Sequence, residues 1–102
     1  MLERDIVRKI INYINKPQPG KTWKGYARKN HGNIYSVKGL PDVMALIKKD
    51  EKSFFLCLEV KREGNDPTKL QNVLIAKLGE LGAVANIVTT LDEVKELIKK
   101  NL

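Results

Sequence analysis

The chain contains very few of the residues that cross-link small proteins or bind metals through soft ligands. It has one cysteine, Cys57, and one histidine, His31, among 102 residues. A single cysteine excludes an internal disulfide, and a cysteine-type zinc site needs at least a second one. His31 has no second histidine or cysteine near it in the sequence, so a surface position explains it better than a metal-binding role. This composition favours a reducing, intracellular compartment.

Long apolar runs are also absent, and the first residues mix charges into a helical pattern. A signal peptide or a transmembrane helix requires an uninterrupted apolar stretch. With 42% hydrophobic and 30% charged residues, the composition is that of a folded globular protein. We therefore expect a single domain over residues 1–102, located in the cytoplasm and without a membrane partner.

Acidic residues are missing from one long segment, because none occurs between Asp5 and Asp42. The net charge of the whole chain is +7, and this segment holds eight of its cations: Arg8, Lys9, Lys16, Lys21, Lys24, Arg28, Lys29 and Lys38. A positive charge this concentrated indicates a polyanionic partner, with nucleic acid as the first candidate.

Aromatic residues are interleaved with these cations, as is common where a protein contacts both phosphates and bases. We predict a DNA-binding surface in this segment, formed by Lys21, Trp23, Lys24, Arg28, Lys29 and Lys38. A solvated basic loop with one or two core aromatic residues explains the same pattern. Trp23 in particular fits a core position as well as a DNA contact.

Hydrophobic periodicity and turn residues predict three helices and four strands. An amphipathic helix is expected over 2–14, and residues 15–33 are expected to form a loop or an irregular hairpin in which 22–28 is compatible with a short strand. Asp66 is the expected N-cap of the second helix, and Thr90 and Glu93 form an expected capping box before the third. The predicted strands are 33–37, 42–48, 54–61 and 83–88, and the later helices are 67–81 and 91 onward.

The resulting order is α-β-β-β-α-β-α, which places the chain in the α/β class. A helix between the last two strands favours a right-handed crossover with parallel pairing. We therefore predict a mixed four-stranded sheet flanked by helices.

Three charged residues are expected to converge at one edge of this sheet. Glu59 and Lys61 are two residues apart on a strand and so point to the same side. Asp42 begins the preceding strand, and an antiparallel hairpin turning near Asp50 would bring it close to both. Two adjacent carboxylates repel each other unless a proton or a cation lies between them, and hard oxygen ligands suit Mg²⁺.

This pattern resembles the VRR-NUC branch of the PD-(D/E)XK nucleases over nearly the whole chain. The motifs that carry the resemblance are Gly39-Leu-Pro-Asp42, Glu59-Val-Lys61, the helical Gln71 and the N-terminal helical Glu3. The resemblance implies a PD-(D/E)XK nuclease core. It also implies Mg²⁺ or Mn²⁺ held by Asp42, Glu59 and the backbone carbonyl of Val60, with Glu3 contributing directly or through water.

The resemblance further assigns the catalytic roles to Asp42, Glu59, Lys61 and Gln71. Lys61 would serve the attacking water, and Gln71 would hold Lys61 or a phosphate oxygen. Single-domain members of the family look like phage or bacterial enzymes that act on branched DNA such as four-way (Holliday) junctions. The implied protein is thus a structure-selective, homodimeric DNA endonuclease in a bacterial or phage-infected cell. Its dimer would form through the C-terminal helix (Leu91, Val94, Leu97 and Ile98) or the exposed part of the first helix.

Two other interpretations remain compatible with the residues. In the first, the chain is a basic nucleic-acid-binding module without catalysis, and the charged residues form a structural ion-pair cluster. In the second, it is a restriction-type enzyme or an RNA nuclease on the same fold. Glu3 also has a simpler explanation, because an acid in the first turn stabilises a helix through its dipole.

Overall fold

The computed structural model describes residues 1–30 and 39–102. The strand predicted over 33–37 and the predicted DNA contact Lys38 lie outside these residues. The described elements follow one another as α1 (Glu3–Asn15), β1 (Lys24–Lys29), β2 (Val43–Lys49), β3 (Lys52–Val60), α2 (Lys69–Glu80), β4 (Val84–Val88) and α3 (Leu91–Asn101).

The four strands form one mixed sheet in the order β1-β2-β3-β4. Strands β1 and β2 are antiparallel, as are β2 and β3, which are joined by a tight turn where Asp50 has a φ of 54°. Strand β4 runs parallel to β3 and is reached through α2. The predicted α/β class, with a mixed four-stranded sheet flanked by helices, is confirmed.

One face of the sheet carries the hydrophobic core. Helices α1 and α3 pack against it, and their buried residues include Ile10, Ile14, Val94 and Ile98. The strand positions that face them alternate with solvent-facing positions in β2, as a half-covered sheet requires. Strand β3 is buried from Leu56 to Val60, because α2 covers the other face of β3 and β4.

Strand β1 forms inside a segment for which the sequence favoured a loop, because packing outweighs the weak local signal. Ala27 is buried, and its backbone N–H and carbonyl both pair with the side-chain amide of Asn15 at distances of 2.6 and 3.1 Å. A Cβ atom on Gly25 would lie 2.8 Å from Cγ2 of Ile14. Glycine at this position therefore lets β1 approach α1 closely.

The N-cap predicted for the second helix is wrong, because Thr68 and not Asp66 caps α2. The Thr68 hydroxyl accepts a hydrogen bond from the Gln71 backbone N–H, and the Gln71 side-chain oxygen accepts one from the Thr68 N–H. This reciprocal capping box satisfies two N–H groups at once, whereas Asp66 lies two residues upstream. Because α2 begins after Thr68, Gln71 belongs to this capping box, and the hydrogen bond from the Thr68 N–H holds its side chain in place.

Candidate active site

Asp42 lies immediately before β2, where the antiparallel register with β3 places it beside Glu59. The last pair in that register is Val43 with Leu58, so the next position along brings Asp42 opposite Glu59 on the same face. The backbone N–H of Val60 donates a hydrogen bond of 2.8 Å to Oδ2 of Asp42. The carboxylate of Asp42 is thereby anchored over the end of β3.

The backbone around Asp42 is held by the residue that follows β1. The Asn30 N–H donates a hydrogen bond of 2.9 Å to the carbonyl of Asp42, and the Asn30 side chain donates to the carbonyl of Pro41. Pro41 itself is buried. These contacts extend the β1–β2 pairing to the start of β2 and fix the position of Asp42.

Glu59 is the one charged side chain that is buried in the described part of the chain, with an exposed fraction of 1%. Its Oε1 accepts a hydrogen bond of 2.7 Å from Nε2 of Gln71, whereas its Oε2 has no hydrogen-bond partner. A buried carboxylate oxygen without a partner is costly, because it has lost its hydration and gained nothing in return. The site is therefore suited to receive a proton or a cation at Oε2.

The electrostatics at Glu59 support the same conclusion. Burial is the main cause that raises the pKa of Glu59, to about 8, and the negative charge of the neighbouring Asp42 adds to it. Lys61 opposes the shift, and a proton on Glu59 can be shared with Asp42. Two carboxylates that share one site disfavour double ionisation unless a cation compensates them.

Lys61 extends from the end of β3 on the same side as Glu59. Its Nζ lies 3.9 Å from Oε1 of Glu59, and its side chain is mostly buried, with 16% exposed. The Lys61 backbone N–H donates a hydrogen bond of 2.9 Å to the carbonyl of Val88, which continues the β3–β4 pairing past Val60. The ammonium group is thus placed beside the carboxylates by the sheet itself.

Gln71 contacts Glu59, and not Lys61 as one of the sequence-based expectations had it. Its side-chain oxygen is occupied by the Thr68 N–H, so its NH₂ group is the part that faces Glu59. The helix cap therefore determines which way the amide points. Thr68 is a positioning residue that sequence reasoning missed, although the Thr-x-x-Gln spacing of a capping box was visible.

Glu3 lies near the site but is engaged elsewhere. Its Oε2 accepts hydrogen bonds of 3.2 Å from the backbone N–H of Arg62 and from the side chain of Asn65. Burial alone would raise the pKa of Glu3, but these hydrogen bonds and the charges of Lys61 and Arg62 outweigh it and lower the pKa. Glu3 ties the start of α1 to the loop that follows β3.

Among the residues that the structure describes, no three His, Cys, Asp or Glu side chains are close enough to hold a metal ion together. The site therefore offers the two carboxylates of Asp42 and Glu59. This donor set fits Mg²⁺, which is commonly held by one or two carboxylates while waters and substrate phosphates complete its coordination.

The residues predicted to contact DNA fall into two groups. Lys24, Arg28 and Lys29 are exposed on β1. Trp23 is instead packed in the core with 8% exposed, and its ring meets Tyr13 edge-on. The Lys21 ammonium lies over the Trp23 ring and donates to the carbonyls of Tyr13, Ile14 and Lys16, which closes the C-terminal end of α1. Both residues thus have structural roles, and their contact with DNA stays a prediction.

Comparison with protein-family models, with curated proteins and with solved structures gave no match to this chain. In the two described ranges, no helix has the length and apolar character needed to span a membrane. Asp42, Glu59, Lys61 and Gln71 are therefore the residues whose geometry indicates a function.

Proposed function

We propose that this protein is a metal-dependent DNA endonuclease with a PD-(D/E)XK nuclease core, which hydrolyses phosphodiester bonds in branched DNA such as four-way junctions. The observation that carries the proposal is the buried carboxylate of Glu59, whose Oε2 lacks a partner beside Asp42. A second acid next to a buried one weakens a structural ion pair, whereas a metal centre can use both carboxylates as ligands.

Asp42 and Glu59 are the residues that would hold Mg²⁺ or Mn²⁺. When bound, such an ion neutralises charge on a phosphate and lowers the pKa of a bound water. Gln71 keeps the Glu59 carboxylate in place without adding charge, because an amide donates a hydrogen bond while remaining neutral. The Val60 N–H does the same for Asp42.

Lys61 is placed to act on the reacting groups. Its side chain is mostly buried, and a positive charge at a buried place stabilises developing negative charge more strongly than one in bulk water. It can orient the attacking water or stabilise the charge that accumulates on the scissile phosphate. A simple surface ion pair between Lys61 and Glu59 would not explain why the Lys61 side chain is so little exposed.

A panel of labelled DNA substrates tests this proposal. Linear duplex, single strand, flap, splayed arm and four-way junction are incubated with Mg²⁺ or Mn²⁺, with EDTA as the matched control. We expect cleavage that depends on the metal and is faster on branched DNA than on linear duplex. If the protein binds these substrates but cleaves none of them, the non-catalytic binding module is favoured. If it cleaves all of them equally fast, the proposed preference for branched DNA is wrong.

We also propose that the protein is a homodimer, since one chain has one centre and a four-way junction needs two cuts on opposed strands. The apolar face of α3 that was expected to form the interface is used within the chain, because Val94 and Ile98 belong to the core and Leu91 and Leu97 pack against it. The exposed part of α1, the other expected interface, is polar, because its apolar face is buried and its exposed residues are Arg4, Arg8, Lys9, Asn12 and Asn15.

Helix α2 offers the better dimer surface. None of its residues is fully buried, and Leu70, Val73 and Leu81 fall on one helical stripe with exposed fractions of 50%, 61% and 78%. Val73→Glu is expected to halve the mass measured by light scattering on a size-exclusion column, because a charge is excluded from an apolar interface. Asn12→Glu on α1 adds the same charge elsewhere and should leave the mass unchanged. A monomeric wild-type protein would contradict the dimer.

A further inference from the structure

A row of three large side chains crosses the sheet on the face that carries the candidate site. Tyr26 on β1 is directly opposite Leu46 on β2, which is directly opposite Phe55 on β3. Their exposed fractions are 60%, 60% and 41%. Directly paired residues point to the same face of a sheet, so the three form one continuous apolar strip that is open to solvent.

Cations flank this strip on both sides. Lys24 and Lys48 are directly opposite each other in the neighbouring row, and Arg28 donates a hydrogen bond of 3.2 Å to the hydroxyl of Tyr26. Two lysines in direct cross-strand register repel each other, which is a cost to the free protein that a bound anion would relieve.

The strip leads along the same face to the candidate active site. Leu46, Met44 and Asp42 alternate along β2 on this face, and Met44 and Asp42 are half-buried, whereas Cys57 and Glu59 on the same face of β3 are buried beneath α2. At roughly 3.3 Å per residue, Phe55 lies about 13 Å from Glu59. Apart from Asp42 and Glu59, the residues of β1, β2 and β3 on this face include no acid.

The charge decides between the partners that such a surface could take. A second copy of this chain packed here by a two-fold axis would bring Lys24, Arg28 and Lys48 against their own counterparts. The phosphates of a DNA duplex could contact the cations. Its bases are stacked on one another, however, so they would offer no free face to Tyr26, Leu46 and Phe55. An unpaired strand supplies phosphates for the cations and exposed base faces for the row.

We propose that the surface formed by Tyr26, Leu46 and Phe55 with Lys24, Arg28 and Lys48 binds an unpaired DNA strand and leads it to Asp42 and Glu59. The inference rests on the proposed nuclease function and refines it, because a branched substrate, four-way junctions included, would present to this surface nucleotides that unpair at the branch point. Tyr26 and Phe55 stack on bases, Leu46 fills the space between them, and the three cations contact the phosphates.

Binding of a fluorescent oligothymidylate, followed by anisotropy in EDTA, tests this surface independently of cleavage. The double variant Tyr26→Ala and Phe55→Ala is expected to bind at least about fivefold more weakly, the lower bound for losing one stacked base. Leu2→Ala removes an apolar side chain of similar exposure, 46%, just before α1, which packs on the other face of the sheet, and serves as the matched control. Circular dichroism checks that each variant is folded.

Leu46→Lys separates strand binding from self-association. It adds a cation to the strip, so it should preserve or strengthen binding to the oligonucleotide and steepen the salt dependence. Unchanged affinity in the Tyr26 and Phe55 double variant would overturn the inference, as would a Leu46→Lys protein that loses affinity together with half its mass. The binding assay contains no metal, so it reports binding alone. A protein that binds the oligonucleotide as expected but cleaves no substrate of the panel in Mg²⁺ or Mn²⁺ would refute the nuclease function and leave the binding surface supported.

Discussion

Lys61→Ala is expected to reduce cleavage of branched DNA by roughly 10²- to 10⁴-fold, the range typical of losing one acid–base or charge-stabilising group. The loss should appear in kcat, because in the proposed function the Lys61 ammonium, 3.9 Å from Glu59, acts in the transition state and does not hold the substrate. DNA affinity should change little, since we propose that the exposed cations of β1 supply most of the electrostatic attraction.

The matched control is Lys52→Ala, which removes an exposed lysine at the opposite end of the same strand. It should cleave at nearly the wild-type rate. Asp42→Asn is expected to lose activity as Lys61→Ala does, because the amide keeps the size of the side chain but not its charge. Single-turnover cleavage in Mg²⁺ with protein in excess isolates the chemical step. Full activity in Lys61→Ala or Asp42→Asn would remove these residues from the catalytic centre.

The sequence was enough to predict that Asp42, Glu59 and Lys61 lie together, because strand and turn patterns in the sequence determine their positions in the sheet. The apolar run of β3 ending in Glu59 and Lys61, together with a polar turn at Asp50, was enough to predict the hairpin that brings Asp42 to Glu59. Strand alternation then placed Glu59 and Lys61 on one side. The mixed sheet followed from the helix between β3 and β4.

Other features depend on contacts between residues distant in the chain, which periodicity cannot reveal. Strand β1 exists because Asn15 pairs with Ala27 and because Gly25 lets α1 approach, and neither contact leaves a repeating pattern. The same holds for Trp23, whose basic neighbours indicated a DNA contact while its ring packs in the core. Gln71 was found as a motif position, but its partner Glu59 became clear only from the fold.

Glu59→Gln is expected to change the pH dependence of stability in the metal-free protein. The folded-state pKa of Glu59 is raised from 4.5 to about 8, so the folded protein holds a proton that the unfolded chain releases at lower pH. The free energy of unfolding should therefore decrease as pH rises between these two values. The decrease should be roughly 2 to 5 kcal/mol, and it belongs to the Asp42 and Glu59 pair as a unit.

A glutamine at position 59 cannot ionise, and its amide can donate to Asp42 where the Glu59 carboxylate repels it. Urea unfolding in EDTA should thus show a Glu59→Gln protein that is more stable than wild type near pH 8 and nearly equal to it near pH 5. The variant should lack most of the wild-type decline with pH. Parallel profiles for the two proteins would mean that Glu59 is ionised without cost and that no cation is needed there.

The central claim, that Asp42 and Glu59 form a metal centre, is tested most directly by calorimetric titration of the protein with Mn²⁺. The wild-type protein and Lys61→Ala should each bind the ion at one site per chain, and Lys61→Ala should bind it at least as tightly because a nearby cation is gone. Glu59→Gln and Asp42→Asn should bind it much more weakly. A wild-type protein that binds no Mn²⁺, or a Glu59→Gln protein that binds it as wild type does, would contradict the account.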